Sequence, residues 1–571
     1  MQGYLFLLLL SFGFSSIQCK PNFVIFLVDD LGIGDIGCFG NDTINTPNID
    51  KLASEGARLA HNLAPESVCT PSRAAFLTGR YAIRSGLASE PGLIGRMFLF
   101  SASAGGLPQN ETTFAAAVRG VGYKTGMVGK WHLGLNKDKA DDFHHHPLKH
   151  GFDSFYGLPV SNLRPCLLGE TIVDYLDPNW RTMYNLKYLG VVVVCLIAFA
   201  MGKTLRLIGI VVITIATAVV VKEYAAILRE HMLTCILMKD YKIVEQPYDL
   251  NNLTMRFTDE AVGFIEKNRE QPFLLFMSFA KVHTPMFTSD AFKGRSKHGS
   301  YGDNVEEMDW SVGEIVGALE RLGLRNNTLV YLTSDQGPHL EEGLESGWKG
   351  IYKGGKGQAY EGGIRVPTVA SWPSRIPAGI DINEPTCSFD IFPTVLNLAG
   401  ARLPGDRIID GKDMMPLLTQ KEETSPHEFL FHYCAKSIHA TRYRPREGKT
   451  TWKAFFFTPK WRPPGSEMCL GDGVCRCYGE DVNVHDPPLL YDITADPSEK
   501  NPIPSGDARY KKVMPNIIAA TRVHEGNVDE VPNQLNKNWH VFFLPTQSCC
   551  NYPLCYCKEH QSPPKHYPGE L

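Results

Sequence analysis

The sequence predicts an α/β protein with a mostly parallel central sheet flanked by helices. Four short apolar runs, at residues 23–28, 124–128, 273–279 and 329–333, each end in a polar cluster. Between the last two runs, residues 305–322 place apolar side chains at helical spacing. Apolar runs that alternate with helices are typical of parallel strands buried on both faces. With 571 residues, the chain is long enough for two domains and insertions.

Polar side chains follow each of the four predicted strands at its carboxyl end. Open α/β sheets bind ligands at that edge. Acids, glycines and a single histidine after a strand each have an ordinary explanation as turn or surface residues, but their repetition at four strand ends favours one shared cleft. The residues that we place in this cleft are Asp29, Asp30, Lys130, His132, His283, Asp335 and Gln336.

The side chains that carry chemistry fall into three groups. Three carboxylates and an amide oxygen are hard ligands that suit Ca²⁺ or Mg²⁺ better than zinc. Two lysines and an arginine can bind an oxyanion, and two histidines can transfer protons. The oxygen ligands are Asp29, Asp30, Asp335 and Gln336, the cations are Arg73, Lys130 and Lys356, and the histidines are His132 and His283.

The segment Cys69-Thr70-Pro71-Ser72-Arg73, followed by Leu77-Thr78-Gly79-Arg80, predicts a reactive cysteine at the start of a helix. Pro71 favours the first position of a helix, with Ser72 and Arg73 on its opening turn. The free N–H groups and the dipole of a helix N-terminus attract anions, and Arg73 adds a fixed cation. A disulfide or a buried thiol is the alternative for Cys69, because disulfides are common in secreted chains.

This motif resembles the signature of the sulfatase family, and the resemblance extends over nearly the whole chain. Further matching stretches lie at residues 129–132, 352–355, 361–365 and 485–489. The resemblance implies the alkaline-phosphatase-like sulfatase fold. It also implies that a formylglycine-generating enzyme oxidises Cys69 in the endoplasmic reticulum to formylglycine, the catalytic aldehyde of the family.

The resemblance further implies a role for each residue of the predicted cleft. Arg73 would favour the ionised form of the hydrated aldehyde. His283 would protonate the departing alcohol oxygen, and His132 would help to remove a proton from the second hydroxyl of the hydrate. The sulfate would be bound by Lys130 and Lys356, and one Ca²⁺ ion by Asp29, Asp30, Asp335, Gln336 and the modified Cys69.

Several features indicate the secretory pathway. Residues 1–19 are typical of a signal peptide, because an apolar centre at residues 5–10 precedes a polar stretch. A net charge of -4 and the lack of a basic tract argue against nucleic-acid binding. Four N-glycosylation sequons predict a lumenal glycoprotein, at Asn41, Asn110, Asn252 and Asn326.

Fifteen cysteines also favour an oxidising compartment. Many of them fall late in the chain and predict a smaller, disulfide-rich α+β domain at residues 431–571, after a catalytic domain at residues 20–430. A zinc cluster is the alternative, and spacing alone does not determine the pairing. The resemblance implies the pairs Cys434–Cys477, Cys469–Cys475, Cys549–Cys555 and Cys550–Cys557.

Two nearly uncharged apolar runs, at residues 188–202 and 207–221, predict a transmembrane helical hairpin over residues 186–222. Each run is slightly short for a bilayer core of roughly 30 Å, so buried core helices are the alternative. Lys187 and Lys222 could reach the membrane surface. An even number of spans returns the chain to the side on which its motifs must meet, and Cys166 and Cys235 could tie the base of the hairpin.

Together, these features predict a lumenal enzyme anchored in the endoplasmic reticulum membrane that hydrolyses sulfate esters of hydrophobic alcohols, above all steroid sulfates. The hairpin and the Asp335-Gln336 pair are most similar to the steryl-sulfatase group, and a lipophilic product could enter the bilayer beside the site. The alternatives are an arylsulfatase with a different substrate and a catalytically silent membrane protein that retains the fold. A related phosphatase would carry Ser or Thr and a zinc ligand set.

Overall fold

A computed structural model describes residues 20–89, 96–166, 186, 188–194, 196–197, 203–228, 230–537, 546–559 and 565–566. The predicted signal peptide lies outside these residues. Where the chain is described, its N-terminal part is a large sheet covered on both faces by helices, and a smaller sheet follows it.

Five parallel strands form the centre of the large sheet, and four of them are the strands predicted from apolar runs. Alternate side chains of the first strand belong to two different core clusters, one on each face of the sheet. This burial on both faces explains why its sequence is a continuous apolar run. Side by side, the five strands are β9 (Thr328–Ser334), β1 (Asn22–Val28), β8 (Phe273–Ser278), β4 (Lys124–Lys130) and β5 (Ser154–Leu158).

The edges of the sheet are mixed, so the expectation of a mostly parallel sheet holds only for its centre. Beyond β9 lie β10 (Val369–Ser371), which is antiparallel to it, then β2 (Ala57–Leu59) and β11 (Ile380–Ile382). Beyond β5 lie three antiparallel strands, β6 (Leu237–Lys239), β7 (Lys242–Gln246) and β17 (Cys557–Lys558). These strands are too short to show a recognisable pattern in the sequence.

Helices cover both faces of this sheet. One core cluster contains side chains from α2 (Cys69–Thr78), α3 (Phe114–Arg119) and α9 (Ile391–Ala399). The other contains side chains from α1 (Pro47–Ser54), α6 (Leu253–Lys267) and α7 (Gly299–Arg321), which includes most of the helix predicted at residues 305–322. Shorter elements are α8 (Glu361–Ile364), α10 (Met415–Leu418) and the pair β3 (Asn62–Leu63) and β12 (Thr386–Cys387).

The predicted membrane hairpin at residues 186–222 lies partly outside the described residues. Its second half falls in α4 (Lys203–Leu228), and α5 (Glu230–Thr234) follows. Within the part of the chain that the structure describes, no helix combines the length and the apolar character needed to cross a membrane. The transmembrane hairpin is therefore not confirmed. The disulfide predicted at its base, Cys166–Cys235, is present.

The C-terminal region contains a four-stranded antiparallel sheet packed against the helix α11 (Ala508–Gly526). Its strands are β13 (Phe429–Cys434), β14 (Ser437–Tyr443), β15 (Trp452–Pro459) and β16 (Val482–Asp492). All four disulfides implied for this region are present. Cys434–Cys477 and Cys469–Cys475 lie near the small sheet, whereas Cys549–Cys555 and Cys550–Cys557 staple a loop that leads into β17.

Buried ion pairs hold the small sheet against the N-terminal part of the chain. Lys453 Nζ lies 2.8 Å from Glu361 Oε1 and 2.8 Å from Glu499 Oε1, and Arg442 also pairs with Glu361. Burial raises the pKa of Glu499 to about 7. Burial acts in the same direction at Glu361, but Arg442 and Lys453 hold its pKa well below the usual range. Removing one partner would leave an unpaired buried charge, which costs about 3–5 kcal/mol.

At Gly129 in β4, two central strands approach each other so closely that no side chain fits. Its φ is +105°, and an added Cβ would lie 1.8 Å from the carbonyl oxygen of Ser278 in β8. We expect Gly129→Ala to lower the free energy of unfolding by roughly 1–3 kcal/mol beyond the penalty for the positive φ, because the strand backbones must separate. Denaturant unfolding of the purified variant measures this loss.

Gly122 provides the matched control for Gly129. Its φ is +94°, but an added Cβ would meet nothing within 4 Å. Gly122→Ala therefore carries the backbone penalty of about 1–2 kcal/mol without the steric clash. Equal losses of stability in the two variants would contradict the proposed close approach of β4 and β8.

Candidate active site

The carboxyl ends of the central strands bring the predicted polar residues together in one buried cleft. Asp29 and Asp30 follow β1, Lys130 ends β4, and His283 lies a few residues after β8. Asp335 and Gln336 directly follow β9. Because β9, β1, β8 and β4 are parallel neighbours, these positions share one edge of the sheet, as the sequence predicted.

Cys69 enters the same cleft at the first residue of α2. The helix begins two residues before Pro71. Proline has no backbone N–H, but an N–H in the first turn of a helix has no partner within the helix, so no hydrogen bond is lost. Cys69 is fully buried and forms no disulfide, so the disulfide alternative is wrong. Its Sγ lies 3.4 Å from Asp29 Oδ1 and 3.3 Å from Gln336 Nε2.

The surroundings of Cys69 favour the protonated form of its thiol. Burial raises its pKa to about 12, and the negative charge of Asp29 acts in the same direction. The thiolate is the reactive form of cysteine, and it is essentially absent at neutral pH when the pKa is this high.

Three buried carboxylates form the part of the cleft that suits a metal ion. Asp29, Asp30 and Asp335 each offer one oxygen, and the three oxygens lie within 4.8 Å of one another. Gln336 Oε1 is buried and has no hydrogen-bond partner among the described residues. Carboxylate and amide oxygens are the donors that Ca²⁺ and Mg²⁺ prefer, so these residues fit a hard divalent cation.

The three carboxylates differ in their electrostatic environment. Burial raises the pKa of Asp335 to about 7, and the neighbouring charge of Asp29 acts in the same direction. Burial also works against ionisation of Asp29, but Lys130 and His283 outweigh it and hold its pKa well below the usual range. A bound cation would relieve the repulsion at Asp335 and favour its ionised form.

Three cations line the carboxylate cluster. Arg73 Nε donates to Asp335 Oδ2 at 2.9 Å, and its Nη2 lies 3.4 Å from Asp29 Oδ1. Lys130 Nζ pairs with Asp29, and Lys356 Nζ lies 2.7 Å from Asp30 Oδ2. The guanidinium group and the two ammonium groups therefore lie beside the acidic side chains, where they can bind the oxygens of an anion.

Each of the two histidines contacts a backbone carbonyl through one ring nitrogen, and the remaining nitrogen differs between them. His132 Nε2 lies 2.6 Å from the carbonyl oxygen of Phe98, and its Nδ1 has no partner in the described chain. His283 Nδ1 contacts the carbonyl oxygen of Thr284, and its Nε2 lies 3.8 Å from Asp30 Oδ2. Burial lowers the pKa of His132 well below its usual range and that of His283 to about 4, with nearby lysines contributing to both shifts.

Two residues of the cleft have backbone conformations that non-glycine residues rarely adopt. Asp30 has φ +59° and His132 has φ +61°. Such strain costs of order 1–3 kcal/mol at each position and occurs mainly where surrounding structure fixes a functional side chain. Each is the second residue after the end of a central strand, where the chain must turn into the cleft.

Sequence reasoning missed two side chains that hold this arrangement together. Ser278 Oγ accepts a hydrogen bond from Arg73 Nη1 at 2.6 Å and donates to the carbonyl of Lys130 at 2.7 Å. Thr70 Oγ1 donates to the carbonyl of His132 at 3.1 Å. Thr70 lies inside the cysteine motif, but Ser278 ends an apolar run, where a small polar residue gives no signal of a role.

Among the protein-family models that match this chain, two together cover most of it. The model described as Sulfatase matches residues 21–401. The model described as the C-terminal region of aryl-sulfatase matches residues 425–557. The first matched region contains every strand of the large sheet except β17, and the second contains the small sheet and the disulfide-bonded loop that leads into β17.

Several curated proteins are similar to this chain over nearly their whole length. Steryl-sulfatase of Rattus norvegicus is 49% identical, with 94% of this chain and 95% of the relative covered. Steryl-sulfatase of Homo sapiens is 47% identical, with 94% and 93% covered. Arylsulfatase H of Homo sapiens is 45% identical, with 95% and 98% covered.

Solved structures share the fold. The PsFucS1 sulfatase from Pseudoalteromonas sp. has a TM-score of 0.68 and 27% sequence identity, and the comparison covers 90% of this chain and 91% of that one. Its similarity extends across both sheets, which agrees with the two family models.

Proposed function

The chain belongs to the sulfatase family and is a sulfuric ester hydrolase, and from this premise we propose that it acts on steroid sulfates through formylglycine derived from Cys69 and bound Ca²⁺. The observation that carries the chemistry is the environment of Cys69. This cysteine is fully buried between three carboxylates and three cations, yet it forms no disulfide and keeps a protonated thiol. Packing alone gives no reason to bury a cysteine among so many charges.

Conversion of Cys69 by a formylglycine-generating enzyme would remove the obstacle set by its high thiol pKa. The hydrated aldehyde supplies one hydroxyl that attacks sulfur and a second hydroxyl that allows sulfate to leave without attack of water on sulfur. The residues around position 69 fit this group. Arg73 places positive charge beside it, and a cation held by the carboxylates would add more; both favour an ionised hydroxyl.

Lys130, Lys356 and Arg73 would bind the anionic sulfate. Each is almost completely buried, so its charge acts in a low-dielectric site where preorganised contacts are strong. Asp29, Asp30, Asp335 and Gln336 would hold Ca²⁺ together with the converted side chain. The ion would offset the charge of the carboxylates and polarise a sulfate oxygen, as metal ions do in related hydrolytic chemistry.

His283 is placed to protonate the departing alcohol oxygen. Its Nδ1 donates to the carbonyl of Thr284, so Nε2 is the atom that can carry a proton towards the cleft. Burial lowers the pKa of His283 to about 4 in the free protein. A bound sulfate ester would raise this pKa, because a nearby anion favours the charged imidazole. His132 would accept a proton in the second half of the reaction.

The steroid substrate class is supported by similarity and by an apolar cluster beside the cleft. The relatives named steryl-sulfatase are 47% and 49% identical to this chain. Val160 and Leu163 pack with Leu99 and Phe100, on the loop that also carries the carbonyl contact to His132. A different aryl sulfate is the second candidate, because Arylsulfatase H is 45% identical.

Kinetics with a steroid sulfate and with 4-nitrophenyl sulfate test this function. We expect wild-type protein to have a higher kcat/KM for the steroid sulfate than for 4-nitrophenyl sulfate. We expect Lys356→Ala to lower kcat by about 10²–10³-fold on both substrates, since one preorganised contact to the reacting oxyanion is lost. Lys421→Ala, at an exposed position, is the matched control. A higher kcat/KM for the small aryl sulfate would favour the arylsulfatase alternative, and wild-type rates in Lys356→Ala would remove this lysine from the site.

We also propose that residues 186–222 hold the protein in the endoplasmic reticulum membrane with the catalytic part in the lumen. Large apolar side chains of this segment are exposed, by 47% at Val193 to 66% at Val194 in the first part, and by 65% at Leu207 and 60% at Val221 in the second. Contiguous exposed apolar surface indicates contact with a membrane or another apolar partner. Cys166–Cys235 closes the base of the segment.

Deletion of residues 188–221, with Cys166 and Cys235 retained, tests the membrane proposal. We expect the variant to move from the membrane fraction to the soluble fraction while it keeps activity on 4-nitrophenyl sulfate, because no site residue lies in the deleted segment. In wild-type microsomes, glycans at Asn110 and Asn252 should both be protected. Cytosolic exposure of one of these two sites would contradict a lumenal site flanked by a hairpin.

A further inference from the structure

Thr70 lies next to the converted cysteine but has no part in the chemistry described above. It is fully buried. Its hydroxyl donates to the carbonyl oxygen of His132 at 3.1 Å and accepts from the backbone N–H of Phe98 at 3.2 Å. Thr70 therefore links the first turn of α2 to the turn that carries His132 and to the loop that carries Phe98.

The Phe98 peptide also contacts the imidazole of His132. Its carbonyl oxygen lies 2.6 Å from His132 Nε2. A carbonyl oxygen can only accept, so Nε2 carries the proton of this hydrogen bond. In the neutral ring the lone pair is then on Nδ1, which is buried and has no hydrogen-bond partner among the residues that the structure describes. Phe98 thus selects the atom of His132 that can take up a proton.

The backbone of His132 needs support as well. Its φ of +61° is in the left-handed region, which bulky residues rarely adopt. The carbonyl of His132 is bound by Thr70, and its N–H donates to the carbonyl of Pro159 at 3.1 Å. The Thr70 hydroxyl therefore supports His132 in two ways. It binds the strained backbone of His132, and it binds the Phe98 peptide that fixes the imidazole ring.

We propose that Thr70 is a positioning residue for His132: its hydroxyl holds the Phe98 peptide and the His132 turn so that the imidazole presents Nδ1 to the cleft. The inference rests on the proposed function of His132 as the proton acceptor of the second half-reaction. Thr70 itself does not touch the reacting atoms. Its loss should therefore lower kcat and leave KM nearly unchanged.

Two substitutions of Thr70 separate the hydroxyl from the shape of the side chain. Thr70→Val keeps the branched shape and removes both hydrogen bonds, and we expect kcat to fall by about 10²-fold, since a displacement of about 1 Å can have this effect. Thr70→Ser keeps the hydroxyl and should stay within about threefold of wild type. Rates are expressed per converted Cys69, with conversion measured from the mass of the peptide that contains it.

Thr394 supplies a matched control outside the cleft. It is also fully buried, and its hydroxyl donates to the carbonyl of Asp390 at 2.7 Å and accepts from the N–H of Met414 at 2.9 Å. Thr394→Val removes the same two kinds of hydrogen bond and should lower thermal stability about as much as Thr70→Val, with kcat unchanged. An equal loss of kcat in both valine variants would reduce the effect to general destabilisation and overturn the proposal.

A double-mutant cycle shows whether Thr70 acts through His132. His132→Ala should lower kcat by about 10²–10⁴-fold, and adding Thr70→Val should change it little further. Additive losses would overturn the inference while leaving the role of His132 intact. Wild-type kcat in His132→Ala would overturn the proposed role of His132 itself, and the inference with it.

Crystal structures in the Cys69→Ala background, which cannot carry the aldehyde, give a readout that does not depend on turnover. In Cys69→Ala/Thr70→Val, we expect the hydrogen bond between His132 Nε2 and the Phe98 carbonyl to be broken or the ring to be rotated. In Cys69→Ala/Thr70→Ser, this bond should remain. An unchanged His132 ring in the valine variant would contradict the positioning role.

Discussion

The burial of three carboxylates within 4.8 Å of one another is the constraint on which the rest of this cleft depends. Like charges at this distance in a low-dielectric site cannot all ionise without compensation. The raised pKa of Asp335, at about 7, reflects this repulsion as well as burial. Arg73, Lys130 and Lys356 supply part of the opposing charge. Gln336 borders the same carboxylates: its Nε2 donates to Asp30 Oδ1, and its buried Oε1 has no partner among the described residues.

The fold concentrates these charges through the direction of its central strands. Parallel neighbours present their carboxyl ends at one edge, so acids after β1 and β9 meet the lysine at the end of β4. The start of α2 adds Cys69 and Arg73 from the same side. Left-handed turns at Asp30 and His132 redirect the chain into the cleft, and hydrogen bonds from Ser278 and Thr70 hold its walls together.

The sequence alone predicts four of the five central strands and the residues that meet at their ends, because a strand buried on both faces leaves an apolar run that stops at a polar cluster. It does not predict the mixed edges of the sheet, since strands as short as β10 carry no distinctive pattern. The hydrogen bonds of Thr70 and the Phe98 carbonyl also escape prediction, because they join residues distant in sequence, and any loop can provide a backbone group.

Metal analysis of the purified protein tests the central claim most directly. The account predicts about one Ca²⁺ per chain in the wild type and loss of both the ion and activity in Asp335→Asn, because the site loses a charged ligand. Asp309→Asn changes another buried aspartate, outside the cleft, and should retain the ion. Full activity in metal-free protein, or a full complement of Ca²⁺ in Asp335→Asn, would contradict the account.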